Sequence, residues 1–455
     1  MSGDNLTTSP PVVDVGRLLD HGAWSTFQKA VLGLIALAIV FDGFDLQLLA
    51  FAIPALVKEW NVPRGSFALI LAVGLIGMSI GTAAAGVLGD HIGRKRALIV
   101  SFLVFGVATA AAAFSGGLTS LGVLRFIAGA GLGGSVPNAT ALSAEFTPLK
   151  RRALAVSITI VCIPLGGALA GAVASRTLAT FGWRYLFAWG GFAALAFVVL
   201  LIVFLPESPR FLVRQPAQWP ELRRLLAKIG QRVHPETQFA DFVEQSKERG
   251  NAMAALFGPS VIRNTASLWL CFLSCMLAVY LALNWLPTYL SAQGFDFNNS
   301  SSGGSVYGFG GVAGALFCAL CINRFGSRLT MLAACAGAIL TALFLWNVPP
   351  AASSTAGLPL FALAAHGFFA NGTQTTMFAL AAHIYPTMVR AGGVAAAIAI
   401  GRIGAVASAF LGASLVKAGP ARYFGAISLG LTVTLIGLAL VADHIPRFRP
   451  EPVKD

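Results

Sequence analysis

Asp42, Asp45, Arg125 and Arg402 each lie well inside a long apolar stretch of the 455-residue chain. A charge at mid-membrane costs about 2.5–3.5 kcal/mol even on insertion scales. Four unpaired charges would cost roughly 10–14 kcal/mol, comparable with a whole domain's stability of ~5–15 kcal/mol, so they must be paired or line a wetted cavity. Asp42 and Asp45 are three residues apart and share a helix face. An apolar setting disfavours two adjacent negative charges, which makes one of the pair a candidate proton carrier. Arg402 keeps its charge and presents a planar fork of donors, so it suits holding a substrate carboxylate. Arg125 can do the same or discharge an aspartate; a purely structural salt bridge is the competing reading. Substrate-binding candidates beside the two arginines are Asn284, His366 and Gln374, with Phe41, Phe44, Phe368 and Phe369 placed to sandwich a flat ring. His366 reads more readily as a hydrogen-bonded core residue than as a proton relay.

The elements that hold these residues follow from composition. The chain is 56% apolar and 11% charged, against about a quarter charged in soluble domains, so the expected class is an all-α integral membrane protein. Twelve apolar stretches of span length fall near 29–57, 67–88, 97–115, 118–142, 153–175, 184–205, 266–290, 303–322, 329–348, 357–381, 392–416 and 422–442. The expected organisation is a tail over 1–28, a six-helix bundle over 29–205, a central loop over 206–263, a second bundle over 264–443 and a tail over 444–455. No short cleavable leader is expected before the first span. Within the loop, Glu221 to Ile229 has the period of an amphipathic helix lying on the membrane surface.

An even count puts both termini on one side. That side and its loops hold 23 of the Lys and Arg residues against six on the other, which makes it cytoplasmic. The net charge of +13 is therefore a topology signal, and the scattered basic residues make no nucleic-acid surface. All six cysteines lie in or beside apolar runs without metal or disulfide spacing. No nucleophile–base set or nucleotide-binding loop can be assembled at a common depth, which argues against an enzyme.

The chain repeats itself. Gly86-x-x-x-Asp90-x-x-Gly93-Arg94-Lys95 after the second span recurs in degraded form as Asn323-Arg324-Phe325-Gly326 after the eighth, offset by 233 residues. Glu145-Phe-Thr-Pro148 through Arg152 recurs as His383-Ile-Tyr-Pro386 through Arg390, offset by 238 residues. Two parallel six-helix repeats around a central site are a transporter architecture. Gly93 permits a tight reversal, and Asp90 can pair with a basic residue or a helix N-terminus of the neighbouring bundle, locking one face shut. Glu145, Arg152, Arg324, His383 and Arg390 belong to the same gating set. The four membrane charges have no counterparts at these offsets; Pro164 stands at the equivalent of Arg402.

These motifs, with Arg125-x-x-x-Gly129-x-Gly131-x-Gly133 and Pro206-Glu-Ser-Pro-Arg210, resemble the major facilitator superfamily over the whole chain. Phe41-Asp42-Gly43-Phe44-Asp45, His383 through Arg390, and Gly401-Arg402 resemble its aromatic acid:proton symporters. The resemblance implies uptake of a small aromatic carboxylate by a monomer in the cytoplasmic membrane, driven by the proton gradient and needing no cofactor. It also implies functional roles for Asp42, Asp45 and Arg125. His91 and Asn323 depart from the family pattern, which weakens the expected gate and not the substrate class.

Overall fold

The structure, a computed structural model, describes residues 12–231, 233–234, 237–241, 258, 261–295, 297–347, 357–385 and 390–447, without the side chains of 153, 154, 156, 157, 297, 298, 390 and 391. The first half contains α1 (Thr26–Trp60), α2 (Ser66–Ile92), α3 (Arg94–Ala112), α4 (Leu118–Glu145), and a helical run Leu149–Phe204 broken at Gly182 into α5 (149–181) and α6 (183–204). The second half contains α7 (Ile262–Ala292), α8 (Phe297–Phe325), α9 (Ser327–Asn347), α10 (Gly357–Ile384), α11 (Arg390–Lys417) and α12 (Pro420–Leu440). Among the described residues, ten helices are long and apolar enough to cross a membrane, with the broken run counted once. The long helix outside that set is α10, whose Asn371, Thr373, Gln374 and Thr376 dilute its apolar character.

Local chemistry sets the helix ends. Ser25 and Gln28 form a reciprocal capping box that starts α1, and Asn61 ends it in the left-handed conformation. Gly182, at φ 76°, makes the break between α5 and α6. There Glu59 accepts from Trp183 Nε1 at 2.7 Å and pairs with Arg184 at 2.6 Å, tying the end of α1 to the start of α6.

The two halves pack alike. In the first, α1 lies on α5 and α2 on α4; in the second, α7 lies on α11 and α8 on α10. Close approach needs small residues: a side chain at Gly129 or Gly133 would collide with the α2 backbone, and one at Gly314 or Gly367 with a neighbouring helix. The repeat extends to the loops. Gly93 (φ 97°) and Gly326 (φ 80°) both turn the chain, and each turn is held by the segment leaving its own half. Lys95 N donates to Glu207 Oε1 at 3.0 Å, while Ser327 N donates to Ile445 O at 2.9 Å.

The described ends of the chain and the described parts of the central segment share one face. On it, Val12–Asp14 pairs in parallel with Gln238–Ala240. The helix Trp219–Ile229 turns Leu222, Leu225, Leu226 and Ile229 into one apolar cluster with Val15, Leu19, Val31 and Ile35. The amphipathic helix thus exists, but its apolar face packs on protein; membrane-surface lodging is corrected. Arg152 pairs with Asp20, fastening the N-terminal segment to the start of α5.

Candidate functional site

Asp45 and Arg125 form a buried ion pair, Arg125 Nη1 lying 3.2 Å from Asp45 Oδ2. Thr109 of α3 completes it: its hydroxyl donates to Asp45 Oδ1 at 2.7 Å and accepts from Arg125 Nη2 at 2.7 Å. The guanidinium also lies 5.1 Å from the Phe187 ring centroid. Asp42 is arranged differently. Its Oδ1 accepts from Ser135 Oγ at 2.8 Å, and its Oδ2 is buried with no hydrogen-bond partner among the described residues. One aspartate is thus neutralised by a cation and the other is held by a serine.

Arg402 reaches across the interface between halves, where its Nη1 donates to Ser79 Oγ of α2 at 3.3 Å. No carboxylate lies within ion-pairing distance of it among the described residues, although its charge acts on both Asp42 and Tyr280. A cavity of about 100 Å³ opens between the halves, walled by Gly43, Gln47, Ile163 and Pro164 on one side and Tyr280, Asn371, Gln374 and Phe378 on the other, and Arg402 is not among its lining residues. Toward the face opposite the termini the cavity is closed. There Ser305 Oγ of α8 donates to Ala168 O of α5 at 2.6 Å, and Gly171 and Gly308 admit the facing helix so closely that an added Cβ would lie 2.9 Å from it. Arg402–Ser79 and Ser305–Ala168 are hydrogen bonds that cross between the halves.

Several expected placements change. Phe41 stacks on Phe197 at 5.0 Å between centroids, and Phe44 meets Trp189, so both pack within the first bundle. Phe369 lies against Gly337 of α9 and Phe368 against Phe317 of α8. The four-phenylalanine sandwich does not form, because both pairs face their own bundle; the aromatic walls of the cavity are Tyr280 and Phe378. His366 is also turned away, its Nδ1 in contact with Thr341 Oγ1 at 3.1 Å and Ala338 O at 3.2 Å on α9. Asn284 lines a smaller pocket of about 40 Å³ beside Asp45 and Arg125. Gln374, named for its polar character in the tenth span, lines the main cavity.

The gating set divides as well. Arg94 pairs with Glu145, which also accepts from Ser208 Oγ, and Glu207 closes over Gly93, so this network stays inside the first half. Asp90, Gly86, Arg324 and His383 are exposed, and Asp90 has no described partner; the expected inter-bundle lock is not made in this conformation. The Arg390 side chain lies outside the described residues. Sequence reasoning missed Thr109, Ser135, Ser79, Gln47 and Phe378. The signal for Gln47, a polar residue within an apolar span, was present but hidden behind the charges.

Two helical bundles related by an internal repeat, with buried charges and a cavity at their interface, define a membrane transporter and not an enzyme. The family model of the Major Facilitator Superfamily matches residues 35–364, and the chain belongs to that family. It is 36% identical to the 4-hydroxybenzoate transporter PcaK of Acinetobacter baylyi over 91% of both chains. Identity to the gallate transporter of Pseudomonas putida is 31%, covering 97% of this chain and 98% of that one. Among solved structures, the Escherichia coli xylose transporter XylE in a partially occluded inward open conformation aligns with a TM-score of 0.73 at 18% identity, covering 92% of this chain and 99% of XylE.

Proposed function

We propose that the protein is a proton-coupled symporter that imports a small aromatic carboxylate, of the benzoate or hydroxybenzoate kind, by alternating access. The observation that carries the reading is Arg402: a permanent cation held by a single serine across the same interface between halves that holds a cavity walled by Tyr280 and Phe378. A carboxylate is the partner that such a fork fits, and aromatic faces suit a ring. The names of the relatives, transporters of 4-hydroxybenzoate and gallate, support the substrate class.

Asp42 is the proton carrier in this reading. Its free oxygen can take a proton without breaking an ion pair, whereas protonating Asp45 would strand the buried Arg125. The proton and the substrate anion would enter together, the carboxylate drawing Arg402 off Ser79 while Asp42 becomes neutral. The reading places the protein as a monomer in the cytoplasmic membrane with both termini in the cytoplasm, supported by the bias of basic residues toward the terminal face. The closed face is then extracellular and the conformation inward-facing. Labelled 4-hydroxybenzoate accumulating saturably in proteoliposomes under an inward proton gradient, and lost on adding a protonophore, is the expected result. Accumulation indifferent to the protonophore would overturn the coupling, and no accumulation of any aromatic acid the substrate class.

A further inference from the structure

Burying an amide donor without a partner costs about 1–3 kcal/mol, so such a donor on a residue that lines a cavity marks a place where a ligand atom can be received. Gln47 of α1 has this character. The residue is 4% exposed, its Nε2 has no hydrogen-bond partner among the described residues, and it forms part of the cavity wall. The space it occupies is made for it: a Cβ at Gly167 of α5 would lie 2.9 Å from Gln47 Cγ. The other buried amide on the cavity is already committed, with Asn371 Nδ2 donating to Gly367 O at 3.1 Å. Gln47 also stands at the closed end, since Gly167 immediately precedes Ala168, whose carbonyl accepts from Ser305 across the interface.

We propose that Gln47 is a specificity-determining residue that reads a hydroxyl group on the ring of the transported acid. The inference rests on the aromatic-carboxylate reading above and adds the substituent and the residue that recognises it. A carboxylate needs a cation, which Arg402 supplies. A neutral amide offers a donor and an acceptor side by side, matching a hydroxyl, which also both donates and accepts. A site built to hydrogen-bond a hydroxyl rejects the analogue that lacks it, because its own polar group is then left unpaired. The same logic makes an unsubstituted ring indifferent to an apolar replacement of Gln47.

Binding of benzoate, 3-hydroxybenzoate and 4-hydroxybenzoate to the purified full-length protein, measured by calorimetry, tests this. Gln47→Leu should weaken the better-bound hydroxybenzoate by about tenfold or more while changing benzoate by less than about threefold. Gln47→Met, which keeps the side-chain length, gives the same comparison if the leucine variant is not recovered folded. Equal losses for hydroxylated and plain acids, or an unchanged hydroxybenzoate affinity, would overturn the role of Gln47 and leave the substrate class standing. A wild-type protein that binds none of the three acids would overturn the substrate class, and this assignment with it.

Discussion

Arg125 closes on Asp45 and leaves Asp42 to Ser135, although the two aspartates are three residues apart on one helix. The difference comes from depth along α4. That helix runs antiparallel to α1, so Arg125 meets the later aspartate and Ser135, ten residues on, meets the earlier one. Two acids of the same type thereby take different work.

Charge removal should therefore have opposite consequences at the two positions. Asp45→Asn strands a buried guanidinium and should cost about 3–5 kcal/mol, seen as a large fall in unfolding temperature in detergent. Most of that loss should return in Asp45→Asn/Arg125→Gln. Asp42→Asn keeps an oxygen for Ser135, so its stability should change by less than about 1 kcal/mol. Gradient-driven uptake should nevertheless be abolished, while substrate exchange between equally loaded compartments persists. Asp42→Asn uptake that still follows the proton gradient would move the carrier role elsewhere.

Arg402→Ala removes the cation and its donors. Charge-assisted hydrogen bonds contribute about 1.5–3 kcal/mol, so affinity for benzoate should fall by roughly tenfold to a hundredfold. Benzamide, which carries no charge, should lose less than about threefold. Competition binding against a labelled acid measures both, and equal losses would show that Arg402 serves the Ser79 bridge alone.

Glycines of the duplicated loop motif should not behave alike. Gly93 adopts φ 97° with the Glu207 carboxylate lying against it, so Gly93→Ala should destabilise by more than the ~1–2 kcal/mol of a left-handed residue. Gly86 is helical and open to its surroundings, and Gly86→Ala should be neutral or stabilising by up to about 1 kcal/mol. Thermal unfolding of the two variants separates a turn requirement from a sequence habit.

The architecture was legible because its signals are one-dimensional. Apolar run length gives the spans, the basic bias gives the face, and the offsets of Gly93 to Gly326 and of Glu145 to His383 give the two halves. Side-chain partners were less so. Helical spacing put Asp42 and Asp45 on one face but could not choose between Arg125 and Ser135 for either. It also left open which face of α1 meets the cavity: Gly43 and Gln47 do, and Phe41 and Phe44 pack into their own bundle. The equivalent positions Glu145 and His383 diverge for a similar reason. Glu145 finds Arg94 and Ser208, while His383 stays exposed.

Closure of the face opposite the termini depends on the close approach of α5 and α8 at their glycines. Gly171 and Gly308 each leave only 2.9 Å between an added Cβ and the facing helix, and Phe51 presses on Gly304 at a corresponding 2.6 Å. A bulky residue there cannot be absorbed by a rotamer change, because the facing atoms at Gly171 and Gly308 include backbone. Gly171→Leu should therefore disfavour the conformation seen here and populate the alternative in which this face is open. A cysteine replacing Gln374, on the cavity of this conformation, reports the shift. In a background lacking the six native cysteines, its labelling by a membrane-impermeant maleimide from the terminal face should slow several-fold when Gly171→Leu is added. Unchanged labelling, with the folded protein recovered, would mean that the α5–α8 contact does not control access.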